Sequence, residues 1–146
     1  KRFSNNTPEA GLENYLAMSS YTYIDYDNDG DLDIIAVSFD GPIWVYTNNT
    51  QKNLSIIFEL DDHKGNRTGI GSRIIIHYGE DGKKHQIREI KASGGFVSFD
   101  APRAHFGLAE HPAVSRVEMI WSTGEKTELK GEFKAGHKYR IERSGA

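Results

Sequence analysis

The chain has no cysteine, so neither a disulfide nor any thiolate chemistry is available to it, and its compartment is neither required nor forbidden to be oxidising. No apolar run approaches the roughly 20 residues of a membrane span, so no membrane span is expected and the chain as given should be soluble. No basic stretch with interleaved aromatics occurs, which leaves nucleic-acid binding without support. Nucleophilic catalysis lacks both a Gly-x-Ser-x-Gly elbow and a Cys beside a His. The six histidines contain no pair at helical i, i+4 spacing for zinc. Gly69-Ile70-Gly71 lacks the third glycine of a dinucleotide fingerprint and leads into a strand, not a helix. Glu80, Asp81 and Glu89 fall in a turn and on a strand with no sign of a cleft, so paired-carboxylate hydrolysis gains no support. The expectation is that this chain is not an enzyme. It starts at Lys1 without Met or leader, which points to a processed chain or an excised fragment.

What is present is concentrated in Asp25-Tyr26-Asp27-Asn28-Asp29-Gly30-Asp31-Leu32-Asp33. The formal net charge is −3, so the five aspartates of this stretch carry more than the whole of it. Like charges at that density repel one another unless a cation sits among them. A hard divalent cation takes about six to eight oxygen ligands, supplied in such loops by side chains at positions 1, 3 and 5 and a carbonyl at 7. Asp25, Asp27 and Asp29 fill the first three places, Asp31 offers its carbonyl, and Asp33 adds a carboxylate at position 9. Gly30 permits the sharp reversal. The expected cofactor is Ca2+. An EF-hand needs a Glu at position 12, where Ala36 stands. The flanks, Tyr21-Thr22-Tyr23-Ile24 before and Leu32 to Val37 after, are aromatic and β-branched, so the loop joins two strands.

The rest of the chain keeps a β rhythm. Asp40-Gly41-Pro42 is a turn and Ile43 to Tyr46 a strand. Asn48 to Asn53 is a polar connection that divides a unit of residues 1–52 from one of residues 53–146. Strands are expected at Leu54–Leu60, Ile70–Tyr78, Lys84–Ile90, Phe96–Phe99, Val114–Trp121, Lys126–Leu129 and Tyr139–Glu142, with turns at Gly79–Gly82 and Ser122–Glu125. Many short strands and no convincing amphipathic helix predict an all-β chain: a cation-binding hairpin followed by an antiparallel sandwich or barrel. His77 and His85 face each other across the Gly79–Gly82 turn, read as ordinary cross-strand packing.

Two resemblances cover almost the whole chain. The acidic loop is similar to the FG-GAP type repeat, whose pattern D-x-D-x-D-G-x-x-D lies between strands of a β-propeller blade, and Phe3 to Thr7 with Ala10-Gly11-Leu12 resembles the segment that precedes such a blade. This implies calcium ligands at Asp25, Asp27, Asp29 and Asp33 and the carbonyl of Asp31. Asn66-Arg67-Thr68-Gly69-Ile70-Gly71-Ser72-Arg73, Gly94 to Ser98, His105-Phe106-Gly107-Leu108 and Val117 to Trp121 with Gly124 resemble the ASPIC/UnbV domain. Ser122 stands where that family has Pro, and Ala109 where it usually has Gly. His105 is expected to hydrogen-bond a turn. The order of the two parts is that of the cartilage acidic protein-like family.

One blade cannot close a propeller, which takes typically four to eight, and unpaired strand edges are templates for further pairing. The expected function is a calcium-binding structural protein that self-associates into a ring or filament. A glycan- or matrix-binding adhesion module, or the end of a larger propeller, are the alternatives. Partners are accordingly other copies, an upstream propeller or an extracellular glycan. Trp44 and Tyr46 share one face of their strand, the opposite face from Ile43 and Val45, and form the candidate binding surface. Millimolar calcium outside cells, with sequons at Asn5, Asn48, Asn53 and Asn66, points to an extracellular or cell-surface location.

Overall fold

The structure is a computed structural model and describes residues 3–14, 16–50 and 53–145. Residue 52, the expected end of the first unit, lies outside them. Ten strands follow in order: β1 (Met18–Ile24), β2 (Asp33–Ser38), β3 (Ile43–Tyr46), β4 (Leu54–Asp62), β5 (Arg73–Tyr78), β6 (Lys84–Glu89), β7 (Arg103–Ala109), β8 (Ala113–Ile120), β9 (Lys126–Lys134) and β10 (Lys138–Arg143). A single 3₁₀ turn at Glu80–Gly82 is the helical structure among the described residues. The chain is all-β, as its alternation predicts.

The strands form three sheets, ordered β1-β2-β3, β10-β4-β7 and β6-β5-β8-β9. The last two make the sandwich. Ile56, Phe58 and Leu60 of β4 and Ala104, Phe106 and Leu108 of β7 point inward at every second position and meet Ile74, Ile76, Val117 and Met119 of the facing sheet. Phe58 sits at the centre, its ring 6.1 Å from Phe106, 6.0 Å from Phe133 and 5.7 Å from Tyr139.

Of the two forms expected, sandwich or barrel, the described residues make the sandwich, with no closed barrel. Three expectations are corrected. The sandwich is not wholly antiparallel, because β10 runs parallel to β4, with Tyr139 opposite Phe58 and Ile141 opposite Leu60. The strand expected from Ile70 starts at Arg73, because the Asn66 side chain accepts the Ile70 N–H at 2.8 Å and Gly69 N–H bonds the Asn66 carbonyl at 2.8 Å, making residues 66–71 a turn. Phe96–Phe99 is a tight turn closed by a bridge between Gly95 and Ser98, with Val97 at φ 54.

Gly69 shows why that motif needs glycine. Its φ is +70, and a Cβ there would lie 2.6 Å from Leu60 Cδ1, inside the core strand's side chain. Gly69→Ala is expected to lose about 2–4 kcal/mol, combining left-handed strain with overpacking. A denaturant midpoint that does not move would show that the turn relaxes freely.

The acidic hairpin and its seat on the sandwich

β1 and β2 pair antiparallel with Ile24 opposite Asp33, so the acidic stretch is the loop of a strand-to-strand hairpin. Asn28 at φ 61 and Gly30 at φ 95 take the left-handed conformations that reverse the chain. The reversal brings Asp25, Asp27 and Asp29 together, with one carboxylate oxygen of each within 4.8 Å of the others. Asp25 is buried and the other two are exposed. Backbone N–H groups turn inward to meet them: Asp31 N–H donates to Asp29 Oδ1 at 2.9 Å, Asp29 N–H to Asp27 Oδ1 at 3.3 Å and Gly30 N–H to Asp25 Oδ1 at 3.4 Å. The Asp31 carboxyl is pushed above its ordinary value, first by burial and then by Asp29, with His105 opposing. Three convergent hard oxygen donors fit a divalent cation of the calcium or magnesium kind, and among the described residues no nitrogen or sulfur donor of a softer metal joins the group.

Asp33 stands apart from that group. It is fully buried, its Oδ1 accepting Asn48 N–H at 2.8 Å and its Oδ2 accepting Tyr26 N–H at 3.1 Å. Its carboxylate therefore ties the loop to the exit of β3. Asn48 closes the same junction, its side chain donating to the Leu32 carbonyl at 3.4 Å and accepting Thr50 N–H at 3.1 Å. Of the other sequon asparagines, Asn5 is exposed and accepts Thr7 N–H at 3.1 Å, Asn53 is exposed, and Asn66 spends its amide on the Ile70 turn.

The loop does not stand free of the sandwich. Ser55, Ile57 and His105 share the outer face of the β10-β4-β7 sheet, since Ile57 lies opposite His105 and Ser55 opposite Gly107. The Gly30 carbonyl lands on this face and accepts two hydrogen bonds, from Ser55 Oγ at 2.5 Å and from His105 Nε2 at 2.8 Å. Ile57 is buried although it points away from the core. A Cβ on Gly30 would come 3.1 Å from Ser55 Oγ, so glycine serves both the turn and this close approach. A second tie joins Thr22 of β1 to Asp100, 2.7 Å apart. Ser55 is the site residue that the sequence does not announce. It lies 25 residues from its partner, and a serine opening a strand carries no distinctive signal.

Trp44 and Tyr46 share one face as expected, with ring centroids 6.4 Å apart and planes 18° from parallel. Neither face of β3 is buried. Trp44 is 41% exposed on the aromatic face, while Ile43 and Val45 on the other are 66% and 50% exposed. Among the described residues no second layer covers either face of β3, because the contacts with the sandwich are made by the loop and by β1 at the other edge of the sheet. His77 and His85 do face across their hairpin, at 6.2 Å between rings, and His77 Nε2 engages Glu118 Oε1 at 2.7 Å.

Fold and site together define an all-β chain in which an acidic hairpin is seated on the outer sheet of a β-sandwich. The sequence model of the family described as ASPIC and UnbV matches residues 62–146, more than half of the chain, and the chain belongs to that family. The match leaves the Asp25–Asp33 loop outside it. No curated protein matches the chain.

Proposed function

We propose that this chain is a non-catalytic, calcium-stabilised structural module, extracellular in setting, that associates with further copies of itself through its N-terminal sheet. The observation that carries this reading is the exposure of apolar side chains on both faces of β1-β2-β3: Ile43, Val45 and Val37 on one, Tyr21, Tyr23 and Trp44 on the other. Contiguous apolar surface of this kind on a small sheet marks an interaction site. The outer edges of β1 and β3, unpaired within their sheet, offer main-chain hydrogen bonds as well. Contacts made by two different faces repeat head to tail and build rings or filaments. Calcium, held by Asp25, Asp27 and Asp29 with the Asp31 carbonyl, to which an FG-GAP type loop adds Asp33, fixes the hairpin and so presents the sheet. A sheet open on both faces suits equally the end of a larger propeller, where neighbouring blades cover them.

Sedimentation velocity distinguishes the two sources of cover. Self-association predicts species larger than the monomer in calcium, dispersed by a chelator and by Val45→Lys, which places a charge on the exposed aliphatic face without touching the sandwich core. A monomer that persists at high concentration in calcium overturns self-association and leaves the propeller reading.

A further inference from the structure

We infer that His105, together with Ser55, is a positioning residue for the metal loop: by holding the Gly30 carbonyl, it sets the cation affinity of the hairpin and couples that affinity to the sandwich. The inference rests on the reading above that the hairpin takes calcium. The geometry that carries it is one peptide plane. The unit linking Gly30 to Asp31 is planar and trans, so its C=O and N–H point in opposite directions. Its oxygen is held by His105 Nε2 at 2.8 Å and Ser55 Oγ at 2.5 Å, and its N–H donates to Asp29 Oδ1 at 2.9 Å. Fixing the oxygen on the sandwich thus aims the hydrogen at a carboxylate of the cluster.

Without such a hold the plane is poorly determined. Gly30 has φ 95 and no side chain to restrict it. Two donors on one carbonyl remove that freedom before any cation arrives, which lowers the ordering cost of binding. The carbonyl accepts, so the Nε2 of His105 carries the hydrogen. His105 is itself fixed by strand pairing opposite Ile57, and its neighbour Phe106 is fully buried in the core. Ser55 begins the run into the core strand β4. The path from cluster to core is therefore short: Asp29, the Gly30–Asp31 peptide, His105 or Ser55, then β4 and β7. Coupling of this kind is reciprocal, so cation binding must stabilise β4 and β7 by the same factor by which their integrity favours the cation.

The test titrates calcium by calorimetry and terbium by luminescence, sensitised by Tyr26 within the loop, into the full chain and its His105→Ala, His105→Gln and Ser55→Ala variants. Amide exchange of β4 and β7 is followed with calcium and with chelator. His105→Ala is expected to weaken calcium binding by about 5- to 20-fold and to abolish the calcium-dependent protection of β7. His105→Gln, whose side-chain amide can donate to the same oxygen, is expected to restore most of both. Ser55→Ala weakens binding in the same direction and serves if His105→Ala does not fold. Wild-type affinity in His105→Ala and Ser55→Ala, with calcium protection of β7 retained, overturns the inference while leaving the calcium loop standing. Absence of calcium binding by the wild-type chain overturns the calcium reading itself, and the inference with it.

Discussion

Arg143→Met is expected to destabilise the chain by about 3–5 kcal/mol, the scale for a buried ion pair deprived of one partner. Asp62 is almost fully buried at the end of β4, and Arg143 on the adjacent parallel strand β10 meets it with two hydrogen bonds, Nε to Oδ1 at 2.8 Å and Nη2 to Oδ2 at 2.6 Å. The same guanidinium reaches Glu125 at 2.8 Å and Thr123 at 2.9 Å, and its carbon lies 4.5 Å from the Trp121 ring centre. One side chain thus ties β10, the end of β4 and the β8–β9 turn together. Methionine keeps much of the apolar stem but leaves the Asp62 charge with only the Lys64 and Gly65 N–H groups, at 2.9 and 3.0 Å.

The pair also dictates a pH dependence. Burial raises the Asp62 carboxyl, but the hydrogen bonds from Arg143, Lys64 and Gly65 and the Arg143 charge outweigh it and hold the group below its ordinary value of 3.8. A carboxyl depressed in the folded state contributes stability that is complete above the unfolded value and is lost as the pH falls through the folded one. Denaturant unfolding of the wild type should therefore show stability falling below about pH 4, with a shallower acid slope in Arg143→Met. Equal acid slopes in the two proteins would show that other carboxyls govern the acid limb.

The second large effect is that of calcium. At a hundredfold excess over its dissociation constant, a ligand that binds only the folded chain adds about 2.7 kcal/mol, which for a domain of this size raises the thermal midpoint by roughly 10 °C. Asp27→Ala should remove that gain. Asp27 is exposed and accepts a single long bond, from Asp29 N–H at 3.3 Å, so in chelator its loss should cost less than about 0.5 kcal/mol. The variant thus separates loss of cation from loss of fold. Melts of both proteins in calcium and in chelator measure it. A wild type whose midpoint ignores calcium, or a variant that responds in full, counts against the loop as ligand.

Much of this is legible in the residues. Asp25 to Asp33 between two β-branched flanks specifies a strand-to-strand acidic loop without help from the rest of the chain. β7 is not among the expected strands: Arg103, His105 and Gly107 do alternate with Ala104, Phe106 and Leu108, but the His-Phe-Gly-Leu core reads first as a motif and hides the alternation. Local pattern fails where a distant residue decides. Phe96 to Phe99 has strand composition, yet Gly94 packs so closely on Asp100 that a Cβ would meet its carboxylate at 2.6 Å, and the chain turns there. The parallel pairing of β10 with β4 has no local signature. The Tyr26 and Asn48 N–H groups that meet the Asp33 carboxylate are not announced by its place in the acidic pattern, and the bond from His105 to Gly30 spans 75 residues.

The central claim is that the acidic hairpin is a cation site seated on the sandwich. Calorimetric titration of calcium into the chelator-stripped chain, with Asp27→Ala alongside, tests it most directly. A single saturable site in the wild type that disappears in Asp27→Ala is the predicted result. A flat titration of the wild type, or an unchanged isotherm in Asp27→Ala, would contradict it.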